Sequence, residues 1–169
     1  MFAISLIFSG IAMFLNGFLP LTQENDNNEI VVMNVLAGFI VSILSIYGIF
    51  LAVDTATYLG YASLLLFGIT HFYLASICIW DLSEESFGWF SAFVTVIALA
   101  LAIYYFIAGN MMLAVLWLIW MFIWLSFFIS RAIDALHTAA CWVILLVGAI
   151  GLSGVGLMTL FNFLTVSFI

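Results

Sequence analysis

Few side chains in this 169-residue chain are able to carry chemistry: two histidines, two cysteines, eight acids and one base, Arg131. His71 and His137 lie far apart, and Cys78 and Cys141 each stand alone in an apolar stretch. With no CxxC and no Cys/His cluster, neither a disulfide scaffold nor a metal site is expected. GxGxxG, P-loop and HExxH strings are missing, so no cofactor and no enzyme activity are expected. The acids gather in short polar stretches, residues 23–29 (QENDNNE), 54–57 (DTAT), 81–86 (DLSEES) and 130–137, which holds Asp134, and none falls within a long apolar run. Ion-coupled carriers place charged groups at mid-membrane, and an ion crossing here would lose its hydration with no fixed counter-charge to offset it. The pattern argues against ion coupling and for passive passage of a small neutral solute. A net charge of −7 is the wrong sign for nucleic acid. Clusters of Lys and Arg that would grip anionic lipid are also missing.

Aromatic side chains supply the other signal. Trp117, Trp120 and Trp124 in LWLIWMFIWL step by three and four, which places them on one helix face. Such a stripe ordinarily packs against lipid or neighbouring helices. The alternative is a narrow slot whose ring faces admit flat, weakly polar molecules, to which Tyr73 in GITHFYLAS would add a hydroxyl. His71 reads first as a neutral hydrogen-bonding group between helices rather than a switch. Asn16, Asn34 and Asn162 read as interhelical hydrogen-bonders, and Gly148, Gly151, Gly154 and Gly156 as a close helix contact. Arg131 and Asp134 are spaced to pair at a helix end, where a wet ion pair contributes little.

The elements that must position these residues follow from composition. Apolar residues make up 69% and charged residues 5%, against about 45–50% and 25% in soluble domains. Lipid must therefore be the solvent for most of the surface. At about 20 residues per span, the polar stretches divide the chain into spans at 1–21, 30–53, 58–80, 87–108, 111–129 and 139 onward. The last is longer than one bilayer needs, so its end would tilt, bend or leave the membrane. Barrel strands are half as long and alternate in polarity, so the expected fold is all-α: one domain over 1–169, a polytopic bundle of six transmembrane helices. The first span has no basic leader or cleavage pattern and reads as retained. The alternation of polar and minimal turns hints at three helix hairpins without a clear repeat. Arg131, between spans five and six, places that turn in the cytoplasm, and six spans then put both termini outside.

Several strings, in order and spacing, resemble the AmiS/UreI family of urea and short-chain amide channels. They are LIFSGIAMFLNG (Gly10, Asn16, Gly17), VVMNVLAG (Met33, Asn34, Gly38), LLLFGITHFYLA (Gly68, Thr70, Tyr73), FGWFSAFVTV, and the tryptophans of span five. The resemblance implies facilitated diffusion of urea or a short-chain amide in a bacterial inner membrane. It also implies a homohexameric ring of protomers, each with its own pore, both termini outside, and a cytoplasmic urease or amidase consuming the solute. The implied constriction residues are Tyr73, Trp120 and Trp124, with Ile69 where the urea channel has an aromatic ring. His71 and Trp117 join them as candidate lining. Two departures are expected to matter. Val147 stands where a last-helix glutamate would fall, and no His-rich outer loop is present, which argues against acid gating. The rival reading is a polytopic subunit for assembly or sensing that transports nothing.

Overall fold

The computed structural model describes residues 1–22, 27–161 and 163. Among them are six helices and no strand: α1 (Phe2–Thr22), α2 (Asn27–Leu51), α3 (Thr55–Trp80), α4 (Glu84–Ile107), α5 (Met111–Arg131) and α6 (Thr138–Leu160). Each is long and apolar enough to cross a membrane. In hydrocarbon a helix satisfies its own backbone hydrogen bonds, which is why these runs adopt it. Asn162, most of the stretch 23–29 and the tail of span six after 163 lie outside the described residues.

Several helices begin before their apolar runs because polar turn residues cap them. Asp54 is extended, and its carboxylate accepts the Thr57 N–H at 2.7 Å and the Thr57 hydroxyl at 2.8 Å. This satisfies an orphan donor of the first turn, so α3 starts at Thr55 rather than 58. The Ser83 hydroxyl accepts the Glu85 N–H at 3.2 Å and opens α4, with Glu84 and Glu85 in its first turn where the helix dipole favours anions.

The helices close into a ring in chain order, with α6 returning to α1. Three pairs approach most closely: α1 with α6, α2 with α3, and α4 with α5. Glycine permits this approach. A Cβ on Gly17 would stand 2.7 Å from the Trp142 carbonyl oxygen, and one on Gly156 would stand 2.9 Å from that of Ala3. The expected α6 glycine stripe is only half realised. Gly148 packs against Met13 and Ile123, but Gly151 and Gly154 face open space. They lie on the outer side of α6, out of phase with Gly148 and Gly156.

The pairing expected between Arg131 and Asp134 gives way to another. Arg131 forms its ion pair with Glu84, because the antiparallel packing of α4 on α5 brings the start of α4 beside the end of α5. Its guanidinium also lies 5.0 Å from the Trp142 ring centroid, within cation–π range. Asp134 sits in the following turn with positive φ.

A candidate solute path inside the helix ring

Every fourth or third residue of α3 and α5 points into the ring. On α3 these are Phe67, Thr70, His71 and Leu74, and on α5 Trp120, Ile123, Trp124 and Phe127. Both sets follow the i, i+3, i+4, i+7 spacing of one helix face. Met13 and Asn16 of α1 and Leu145 of α6 complete the wall. They border a chamber of about 20 Å³. That is room for about one water. Toward the Arg131 end lies a wider vestibule of about 400 Å³. Asn16, Leu74, Phe127 and Leu145 belong to the walls of both. Asp81, Glu84 and Arg131 stand around the vestibule, whereas among the described residues the chamber wall holds no Asp, Glu, Lys or Arg.

Away from the Arg131 end the chamber is packed with rings, a candidate seal. Phe67 lies 4.9 Å edge-on from Trp120, 4.8 Å from Trp124 and 6.1 Å from Trp117, centroid to centroid. Trp117 meets Trp120 edge-on at 4.9 Å. All four are buried. The Trp124 indole N–H donates to the Thr70 hydroxyl at 3.1 Å, and that hydroxyl donates to the Leu66 carbonyl at 2.6 Å. The indole plane is therefore fixed by α3 rather than left to rotate.

A polar seam runs along the other side. The side-chain amides of Asn16 and Asn34 face each other: Asn16 Nδ2 donates to Asn34 Oδ1 at 3.1 Å, and Asn34 Nδ2 donates to Asn16 Oδ1 at 2.6 Å. Asn34 Nδ2 also donates to the Ile30 carbonyl at 2.8 Å. His71 Nδ1 lies 2.9 Å from Asn34 Oδ1, and Nε2 lies 3.2 Å from the Ser9 hydroxyl. An amide oxygen only accepts, so Nδ1 carries the proton and the Ser9 hydroxyl donates to Nε2, an assignment made from the network. A neutral imidazole satisfies every bond in the seam. The expected interhelical roles of Asn16, Asn34 and His71 are all seen in these bonds, which tie α1, α2 and α3.

The six candidate lining residues separate by helical phase. His71, Trp120 and Trp124 line the chamber. Trp117 stands one turn beyond it, in the ring seal. Tyr73 points between α3 and α4, with ring centroids 5.4 Å from Phe87 and 5.3 Å from Phe90, and lines neither space. Ile69 is 47% exposed on the outside of the ring. Positions 69 and 73 each lie two residues from His71, about 200° around the helix. Val147 is 66% exposed, so a carboxylate there would not face the chamber. Phe67, Thr70 and Asn16 were not read as lining from the sequence. The signal for the first two was the polar pair Thr70–His71, which marks the inner face of α3 and places Phe67 on it.

A family model described as AmiS/UreI family transporter matches residues 1–162. A protein of Mycolicibacterium smegmatis, "Putative amidate substrates transporter protein", is 33% identical over 100 residues. The match takes in 57% of this chain and 47% of that protein, so it spans about half the length of the curated relative. Two solved structures of the Helicobacter pylori urea channel share the architecture. The cryoEM structure of the closed state has TM-score 0.86 at 22% identity, covering 98% of this chain and 100% of the other. The crystal structure has TM-score 0.83 at 23% identity, covering 96% and 99%. At these identities the likeness establishes the fold.

Proposed function

We propose a function from one premise: the chain belongs to the AmiS/UreI family of transporters, and it is a multi-pass membrane protein. The function is passive conduction of urea or a small aliphatic amide through the ring interior of each protomer. The observation that carries this is the chamber wall. Ring faces, one amide and one imidazole border it, and among the described residues no charged side chain does. A hydrated ion would lose water there without compensation. A flat neutral molecule loses far less, stacks against the rings, and exchanges hydrogen bonds weakly enough to leave. The relatives support the solute class: the Mycolicibacterium smegmatis protein is named for amidate substrates and the Helicobacter pylori protein for urea.

The finer parts of the reading are these. The membrane is the bacterial inner membrane, the vestibule opens to the cytoplasm, and both termini lie outside. Six copies form a ring, as the family resemblance implies. The pore does not require external acid to open, because the turns at the outer end carry no histidine. The solute is consumed by a cytoplasmic urease or amidase. Purified protein in proteoliposomes should speed urea or acetamide entry over empty vesicles and leave ion leakage unchanged. Equal rates with and without protein would support the non-transporting subunit instead. A reporter fused after Ile169 should be active only as a periplasmic fusion, and cytoplasmic activity would reverse the orientation.

A further inference from the structure

We propose that Asn16 is the residue by which this path selects its solute, and that the feature selected is the edge of a primary amide: a carbonyl oxygen beside an N–H on the same carbon. This rests on the conduction reading above and narrows it. In the resting structure that edge is already recognised, by Asn34. The two asparagine amides pair reciprocally, each donating to the other. A urea or primary amide molecule carries the same edge and is chemically a free copy of the Asn34 side chain.

The two partners are not equally held. Asn34 is fully buried, and its remaining donor and acceptor capacity is taken by the Ile30 carbonyl and His71 Nδ1. Asn16 has no such second anchor among the described residues, and it borders both the chamber and the vestibule. A solute arriving from the vestibule therefore meets Asn16 first. Asn16 exchanges Asn34 for the solute edge, and Asn34 keeps its bonds to α2 and α3 while the pair is open. The exchange replaces the two bonds that Asn16 makes to Asn34 by two of the same kind, and it leaves one Asn34 N–H unmet whatever the solute. Solutes with the edge add no further cost at Asn16, whereas solutes lacking it leave the buried Asn16 amide unmet as well. His71 and Ser9 act as positioning residues, holding Asn34 so that Asn16 has one partner to leave and return to.

The experiment measures acetamide against ethylene glycol, a neutral molecule with the same number of non-hydrogen atoms and no amide edge, in proteoliposomes of the parent, Asn16→Leu and Asn16→Ser. Leucine keeps the bulk at this site and leaves Asn34 bonded to Ile30 and His71. The expected result is a three- to tenfold fall in the acetamide-to-glycol flux ratio, about the value of one net hydrogen bond, with glycol flux at or above the parental rate. Retained glycol flux reports that the variant is folded and open, and if Leu abolishes both fluxes, the Ser variant decides by the same ratio. An unchanged ratio in a variant that still passes glycol would overturn the role of Asn16 while leaving conduction standing. A parent that passes acetamide no faster than empty vesicles would overturn the conduction reading, and this inference with it.

Discussion

Phe67→Ala tests the ring seal at its centre. Phe67 is 5% exposed and touches three tryptophans, at 4.9 Å from Trp120, 4.8 Å from Trp124 and 6.1 Å from Trp117. Each such pair contributes about 0.5–1.5 kcal/mol beyond burial, so the ring holds the seal with about 3 kcal/mol. A solute that must push the ring aside breaks these contacts at the top of its barrier. Up to about 3 kcal/mol of barrier corresponds to roughly a hundredfold in rate. Alanine removes the ring and widens the chamber on the Trp117 side. The expected outcome is faster acetamide entry, by as much as that factor, with weaker exclusion of bulkier glycerol. Stopped-flow light scattering of proteoliposomes reads both solutes. Thermal unfolding in detergent should fall by several degrees, since the same contacts stabilise the fold. Unchanged flux and unchanged glycerol exclusion in a destabilised but folded variant would refute the seal, because the path would then run elsewhere.

Other outcomes follow from single features. Flux should be flat between external pH 5 and 7.5, and stay flat in His71→Phe. The Thr57 backbone N–H and then its hydroxyl hold the Asp54 carboxyl below its ordinary value. The charged cap and the stability it contributes are therefore complete above about pH 3.9, and are lost only as pH falls through the lower folded value. A severalfold rise at pH 5 that vanishes in His71→Phe would contradict this. Gly17→Ala should lower the melting temperature by forcing α1 from the Trp142 carbonyl. Gly151→Ala, facing open space, should leave it unchanged or raise it slightly, by up to about 1 kcal/mol of helix propensity; equal losses in the two would deny the close α1–α6 contact. Cys78 borders the vestibule, so a bulky thiol reagent should slow acetamide flux and Cys78→Ser should protect. Buried Cys141, whose Sγ donates to the Ser126 carbonyl at 3.3 Å, should not react.

The sequence carried the architecture because lipid is an unforgiving solvent: each polar stretch had to be a turn, and each apolar run between them had to be a helix. Its helix ends were off where polar residues work as caps, as at Asp54 and Ser83, since hydropathy alone assigns a cap to the turn. His71, Trp120 and Trp124 were legible as candidates, the first by its polarity and the others by their spacing. Tyr73 is suggested by its hydroxyl and by the family resemblance, and Ile69 by the resemblance alone, and helical phase places both elsewhere. Phase was available in the sequence, since Thr70 and His71 define the inner face of α3 and exclude both. The reciprocal pairing of Asn16 with Asn34 was open only to the extent that each was expected to bond another helix. Which helix, and that Asn16 would also border two cavities, depends on how the ring closes, and no local pattern encodes that.

The central claim is that a small neutral amide passes through the interior of this helix ring by way of the chamber between Asn16 and the tryptophans. Its most direct test is the rate of acetamide entry into proteoliposomes of the parent protein and of Trp124→Ala, beside empty vesicles, with glycerol as the bulkier companion. The parent should admit acetamide well above the empty-vesicle rate and hold glycerol near it, and Trp124→Ala should narrow that difference while remaining assembled. Acetamide entry at the empty-vesicle rate in the parent, or an unaltered acetamide-to-glycerol ratio in Trp124→Ala, would contradict the claim.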